Sequence, residues 1–201
     1  MSNAIHRVIE LHAATRGDLA AVVEGSRTSS YRQLNYAANG VARALNARGF
    51  RRGGHAIVRM RRGCDLAVVL LAILKAGGSY TWSDPARATE GEPIGVSFRV
   101  GTTEREEQWM HVDFTGVMSE RVACSPNLPI VTRGTDAACT LQEADSEPVI
   151  VPHATIASLC SRGVPRPTPW IGEPGAFDLW IALMAGTTAV VQGQESVVAA
   201  A

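Results

Sequence analysis

The sequence predicts an α/β fold, a parallel or mixed sheet with helices on both faces, and three observations carry that expectation. A strand-like run (His55 to Met60), a helical run (Asp65 to Lys75) and a second strand-like run (Ser79 to Trp82) follow one another closely. Strand, helix and strand in that order make a βαβ unit, in which the strands run parallel and the helix covers the sheet. The helical run is apolar except at its two end residues, as a sheet-covering helix must be. Hydrophobic residues make up 46% of the chain and charged residues 19%, an ordinary globular composition.

The remaining elements follow in order. Ile5, Val8, Ile9 and Leu11 recur at helical spacing and predict a first helix ending near Gly17. Ala20 to Val23 and Thr28 to Tyr31 flank Glu24-Gly25-Ser26-Arg27, a β-hairpin pattern. Leu34, Ala37, Ala38, Val41, Ala42, Leu45 and Ala47 mark a long helix closed by Gly49. Gly53-Gly54 leads into the βαβ unit, and Gly77-Gly78 ends its helix. Ile94 to Val100 and Met110 to Val117 alternate as strands do, with Glu104 to Gln108 a charged turn or short helix between them. Pro152 to Cys160 starts a helix. Arg162 to Pro174 gathers Pro165, Pro167, Pro169 and Pro174 and is expected to be an irregular connector. Ala176 to Met184 is an apolar helix, and Gly186 leads to a strand over Thr187 to Val191. The Ala-rich end is expected to fray.

Composition sets further bounds. The chain of 201 residues is read as one domain, 1–201. A formal net charge of zero argues against nucleic acid or an anionic membrane as the main partner. Arg48, Arg51, Arg52, Arg59, Arg61 and Arg62 form the densest basic cluster, a solvated loop and strand end or, alternatively, a surface for an acidic partner. Cys64, Cys124, Cys139 and Cys160 lie far apart without C-x-x-C spacing, which speaks against a zinc site or a disulfide framework. Reduced thiols, the lack of a signal peptide and the lack of a bilayer-length apolar run (the longest is Leu66 to Leu74) point to a cytoplasmic protein.

Four stretches carry a family resemblance. Asp136 to His153 reads Asp-Ala-Ala-Cys-Thr-Leu-Gln-Glu-Ala-Asp-Ser-Glu-Pro-Val-Ile-Val-Pro-His. Ile5 to Leu45 includes Ser-Tyr-Arg-Gln-Leu-Asn, Leu71 to Pro85 reads Leu-Ala-Ile-Leu-Lys-Ala-Gly-Gly-Ser-Tyr-Thr-Trp-Ser-Asp-Pro, and Gly175 to Trp180 reads Gly-Ala-Phe-Asp-Leu-Trp. Together they resemble the adenylation domains of nonribosomal peptide synthetases, with a gap over residues 85–128 where the likeness fades. The resemblance implies the first subdomain of such a domain, a fold that activates carboxylates with ATP. It also implies a loss. In the family a loop like Thr-Ser-Gly-Ser-Thr-Gly-x-Pro-Lys-Gly joins the two strands and holds phosphates. Here Glu143 to Pro148 stands in its place, without Gly, Thr or Lys. Anion binding needs crowded backbone N–H groups, hydroxyls and a cation, whereas Glu143, Asp145 and Glu147 repel phosphate. The family's later motifs find no room in the chain, and its amine-binding Asp is replaced within Trp170-Ile171-Gly172-Glu173; Asp178 matches the helix Glu of the family instead. The expectation is therefore no ATP, no other cofactor and no metal.

Residual chemistry was sought among the polar side chains. His111 and Asp113 stand two apart, on one face of a strand, as an acid–base pair or half a metal site, or simply as an exposed polar face. His153 follows Pro152 at a helix entrance, where packing competes with catalysis. Glu143, Asp145 and Glu147 would suit a cation or a solvated turn. Cys64 at a helix start is either a thiol activated by the helix dipole or a buried structural one. Trp82, Trp109, Trp170 and Trp180 are spread out, as core anchors rather than a stacking platform. Gly-x-Ser-x-Gly, His-Glu-x-x-His and dinucleotide fingerprints do not occur.

Two functions stay open on these grounds. One is a non-catalytic pseudo-adenylation domain, partner or scaffold in peptide natural-product biosynthesis, acting as a homo-oligomer or bound to a pathway protein. The other is a small repurposed enzyme using acid–base or hydrolytic chemistry on a pathway intermediate, with His111, Asp113, His153 and Asp178 as candidate residues. A shortened chain would also have to cover the apolar faces of its helices by repacking, self-association or a partner.

Overall fold

The computed structural model describes residues 4–87, 93–100, 108–114, 125–129, 132–142, 146–160, 167–171 and 175–192. The elements run α1 (Ile5–Thr15), β1 (Ala20–Glu24), β2 (Arg27–Ser30), α2 (Tyr31–Ala47), β3 (His55–Arg59), α3 (Cys64–Lys75) and β4 (Ser79–Ser83). They continue through β5 (Gly95–Val100), β6 (Gln108–Val112), β7 (Ala137–Leu141), β8 (Val149–Pro152), α4 (His153–Leu159), β9 (Thr168–Trp170), α5 (Phe177–Met184) and β10 (Ala189–Val191).

The expected α/β class holds, and the strands fall into two mixed sheets. One has the order β2-β1-β10-β9, the other β6-β5-β3-β4-β7-β8. In the larger sheet β3, β4 and β7 are parallel, which confirms the βαβ unit, while β5, β6 and β8 are antiparallel additions. Two differences from the sequence expectation stand out. Within the stretch read as an irregular connector, Thr168–Trp170 forms β9 and pairs parallel with β10. A strand this short, holding a proline, gives too little periodicity to detect. The second strand of the β5–β6 hairpin also starts at Gln108 and ends at Val112 rather than running from Met110 to Val117; residues 104–107 and 115–117 lie outside the described residues.

Helix α3 explains why two sheets meet. Every residue from Leu66 to Lys75 is buried. The helix touches β1 and β2 of one sheet and β4 of the other, and packs along α2. Of the three covers expected for its apolar face, repacking, self-association or a partner, α3 is thus covered within the chain. Helix α2 is set by its N-terminus: the Ser30 side chain accepts from the Gln33 N–H, and the Gln33 side chain accepts from the Ser30 N–H. Its C-terminal end turns at Gly49, whose φ of 95° only glycine adopts without strain. Gly78 serves differently, since a Cβ there would lie 2.3 Å from the Phe50 ring.

Aromatic side chains tie distant elements together. The Trp180 indole N–H donates to the Tyr80 hydroxyl at 2.6 Å, and that hydroxyl donates to Gly175 O at 2.8 Å, all buried. Trp82 on β4 and Trp170 on β9 bring the two sheets into ring contact, with centroids 6.1 Å apart. At the start of α2, the Tyr31 hydroxyl shares its proton between Leu183 O at 3.1 Å and Thr187 O at 2.7 Å, which locks α2 to the end of α5. Tyr31→Phe keeps the ring but removes a buried bond from Thr187 O and one from Leu183 O, which also accepts the Gly186 N–H. It should cost about 1–3 kcal/mol, seen as a lower urea midpoint at unchanged slope.

Candidate functional site

The β7–β8 hairpin stays in register to its end, with Thr140 opposite Ile150 and Leu141 opposite Val149. The connection is therefore Gln142 to Pro148, of which Glu143, Ala144 and Asp145 lie outside the described residues. Across its mouth the Gln142 side chain donates to Ser146 O at 3.4 Å, and Glu147 is exposed. At the other end of the hairpin, Asp136 is used structurally. Its carboxylate accepts the Arg133 N–H at 2.9 Å and lies 3.6 Å from the Arg52 guanidinium, and its carbonyl accepts the His153 N–H.

Open α/β sheets bind ligands outside the carboxyl ends of their strands. A cavity of about 420 Å³ lies at that edge of β3 and β4, lined by Met60, Arg61, Arg62, Pro85 and Ile94 with Glu24, Arg27 and Asp65 beside them. Its charges are largely spent on one another. Arg27 lies 3.3 Å from Glu24 and 3.4 Å from Asp65. The Glu24 carboxylate also accepts the Cys64 N–H at 2.9 Å, so it caps α3 from outside the helix. Gly63 makes that approach possible, because a Cβ there would sit 2.6 Å from the carboxylate. Arg62 donates to Ile171 O. The Cys64 thiol is pushed up to about 11, first by burial and then by Glu24, so the helix start yields a structural thiol and not a thiolate. A second cavity of about 340 Å³ lies at the opposite, amino edge, around Gly53, Gly78, Ser79 and the Arg52–Asp136 pair.

The four candidate residues do not converge. His111 is exposed on β6, its Nδ1 3.1 Å from Ser97 Oγ, and exposed Asp113 stands just past Val112, where the strand ends, so the pleat does not fix the two on one face. His153 is fully buried beyond β8, where its Nδ1 accepts the Ile5 N–H at 3.3 Å. Strands β6 and β8 are the two outer edges of the six-stranded sheet, five strand spacings or about 24 Å apart. Asp178 accepts the Ile171 N–H at 3.3 Å on the far side of β9. A single acid–base constellation from all four is ruled out by topology. Among the described residues no group of three or more His, Cys, Asp or Glu is placed to hold a metal ion.

Sequence reasoning missed the densest buried polar cluster. His6 and Glu10 of α1 meet Lys75 of α3 and His153 of α4, all buried. Glu10 pairs with Lys75. The His6 and His153 rings meet edge-on, centroids 6.0 Å apart, and His6 Nδ1 and His153 Nε2 have no hydrogen-bond partner. Burial, then the neighbouring His153, Lys75 and Arg7, push His6 down to about 3; burial pushes His153 down to about 4 against the pull of Asp136. Burial also lowers Lys75, with Glu10 opposing. Asn127 joins the cluster from the other side, its Oδ1 accepting from Asn35 at 2.9 Å and Asn39 at 3.0 Å. The available signal was a charged residue at each of two otherwise apolar helical positions.

Residues 9–129 match the family model described as AMP-binding enzyme. Over 106 residues, 49% of the chain, the sequence is 43% identical to the L-2-aminoadipate reductase large subunit of Eremothecium gossypii. Over 96% of its length it is 26% identical to bacitracin synthase 1 of Bacillus licheniformis. The chain spans only 8% and 4% of those two proteins. Among solved structures it superposes on the N-terminal subdomain of Klebsiella oxytoca NpsA with a TM-score of 0.73 at 15% identity, covering 96% of this chain and 54% of that one. The nonribosomal peptide synthetase FmoA3, bound to AMPPNP, gives 0.76 at 19% identity over 96% of this chain and 23% of that one.

The outside cap on α3 gives a direct test. Glu24→Ala should cost about 1 kcal/mol, the usual worth of a lost helix cap, and lower the thermal midpoint by roughly 2–4 °C. Circular dichroism melts of the two proteins read that difference.

Proposed function

Because the chain belongs to the AMP-binding enzyme family and folds like an adenylation N-terminal subdomain, we propose that it is an adenylation-type subdomain that no longer holds ATP and serves as a non-catalytic partner in peptide natural-product assembly. One observation carries the reading: the turn between β7 and β8. The ladder pairs Leu141 with Val149, so Gln142 to Pro148 is all that connects them. That connection holds Glu143, Asp145 and Glu147 and lacks Gly, Thr and Lys. A triphosphate placed there would meet carboxylates where it needs N–H groups, hydroxyls and an ammonium. Asp178 and Asp136 are committed to backbone N–H groups. The scaffold, by contrast, is fully built, from the capped α2 to the buried α3. The relatives are peptide synthetases and an aminoadipate reductase subunit, which supports a place beside such assemblies.

Isothermal calorimetry of the chain with Mg-ATP and with AMP tests the reading. The expected result is no binding heat at up to about a millimolar nucleotide, a ceiling set by the weakest affinity worth calling binding. A micromolar dissociation constant for ATP would overturn it. ATP–pyrophosphate exchange with a mixture of amino acids should likewise stay at the level of a protein-free control.

A further inference from the structure

Helix α1 is held to the rest of the molecule by apolar contacts of Ile5, Ile9 and Ala13 and by three polar tethers. The Ile5 N–H donates to His153 Nδ1 at 3.3 Å. Glu10 pairs with buried Lys75. His12 Nε2 lies 3.0 Å from Met184 O. The first tether runs through an imidazole, and an imidazole Nδ1 that accepts a hydrogen bond cannot do so once it carries a proton. An imidazole that donates to a carbonyl keeps donating after protonation. Acid therefore removes the first tether and spares the third.

We propose that α1 is an acid-released latch: on acidification its Ile5 end lifts off α3 and α4 while its His12 end stays pinned to α5. The groups that face the latch reinforce the effect. Next to His6 and His153 lies the Lys75 ammonium, with Arg7 on α1 itself and Arg43 of α2 nearby. Against them stand Glu10, which also lies 3.9 Å from Arg7, and Asp136 beside His153. Two new imidazolium charges would join Lys75, and neither His6 Nδ1 nor His153 Nε2 has an acceptor waiting. Held neutral in the fold and free to charge when released, both histidines sit below their ordinary 6.5. The released state binds protons first, so the latch is tight above pH 6.5 and weakens as pH falls towards 4, where His153 itself titrates in place. Release would bare the α1 faces of α3 and α4, an apolar surface absent at neutral pH.

Hydrogen exchange by mass spectrometry from pH 7.5 to 4.5, corrected for the intrinsic pH dependence of exchange, tests the latch. Amides of α1 should lose at least tenfold protection while those of β3 and β4 keep theirs. In His153→Asn the amide oxygen stands where Nδ1 does, accepts the Ile5 N–H and cannot take up a proton, so the loss should move to lower pH. Protection of α1 that persists to pH 4.5, or is lost together with that of β3 and β4, overturns the proposal. If His153→Asn fails to fold, the wild-type contrast between α1 and β3 decides alone. ATP calorimetry is blind to this device, so a failure here and a failure of the nucleotide reading remain distinguishable.

Discussion

The burial of α3 is the constraint on which both sheets depend, because a helix with no wet side must be enclosed on every side at once. From Leu66 to Lys75 nothing reaches solvent. Strand β4 supplies one wall, the β1–β2 hairpin another, and α2 lies alongside. Such a helix stabilises the fold only if its polar ends are also satisfied. The chain meets this at one end with Glu24, borrowed from β1, and at the other with Glu10, borrowed from α1. The backbone N–H at the start of the helix and the Lys75 ammonium at its end are thus answered by carboxylates from elements far away in sequence.

Much of this was legible in the sequence because it is local. Helix periodicity, the hairpin around Gly25 and the βαβ order all act over a few residues, and each stands where it was expected. What was not legible is non-local. The division of the strands into two sheets depends on β9 and β10, three residues each, pairing with one another and with β1 across most of the chain. The pairing of Glu10 with Lys75 spans 65 residues, and no spacing rule reaches that far. The candidate residues failed to gather for the same reason: His111 and His153 look comparable as polar positions on a line, and only strand order reveals that they occupy opposite edges.

The site chemistry has a similar lesson. A thiol at a helix start could have been activated, yet burial first, and then the carboxylate that caps the helix, hold it protonated. Arg27, Glu24 and Asp65 line a cavity with charge but spend that charge internally. Residue type named the possible chemistry in each case; whether a group was already engaged decided what remained.

The contact between Trp82 and Trp170 carries an optical consequence. The two indoles come from different sheets, buried at 6.1 Å between centroids, close enough for their transitions to couple. Their near-ultraviolet circular dichroism then serves as a built-in ruler for separation of the sheets, while Trp109, 59% exposed on the β6 edge, contributes red-shifted emission insensitive to that separation.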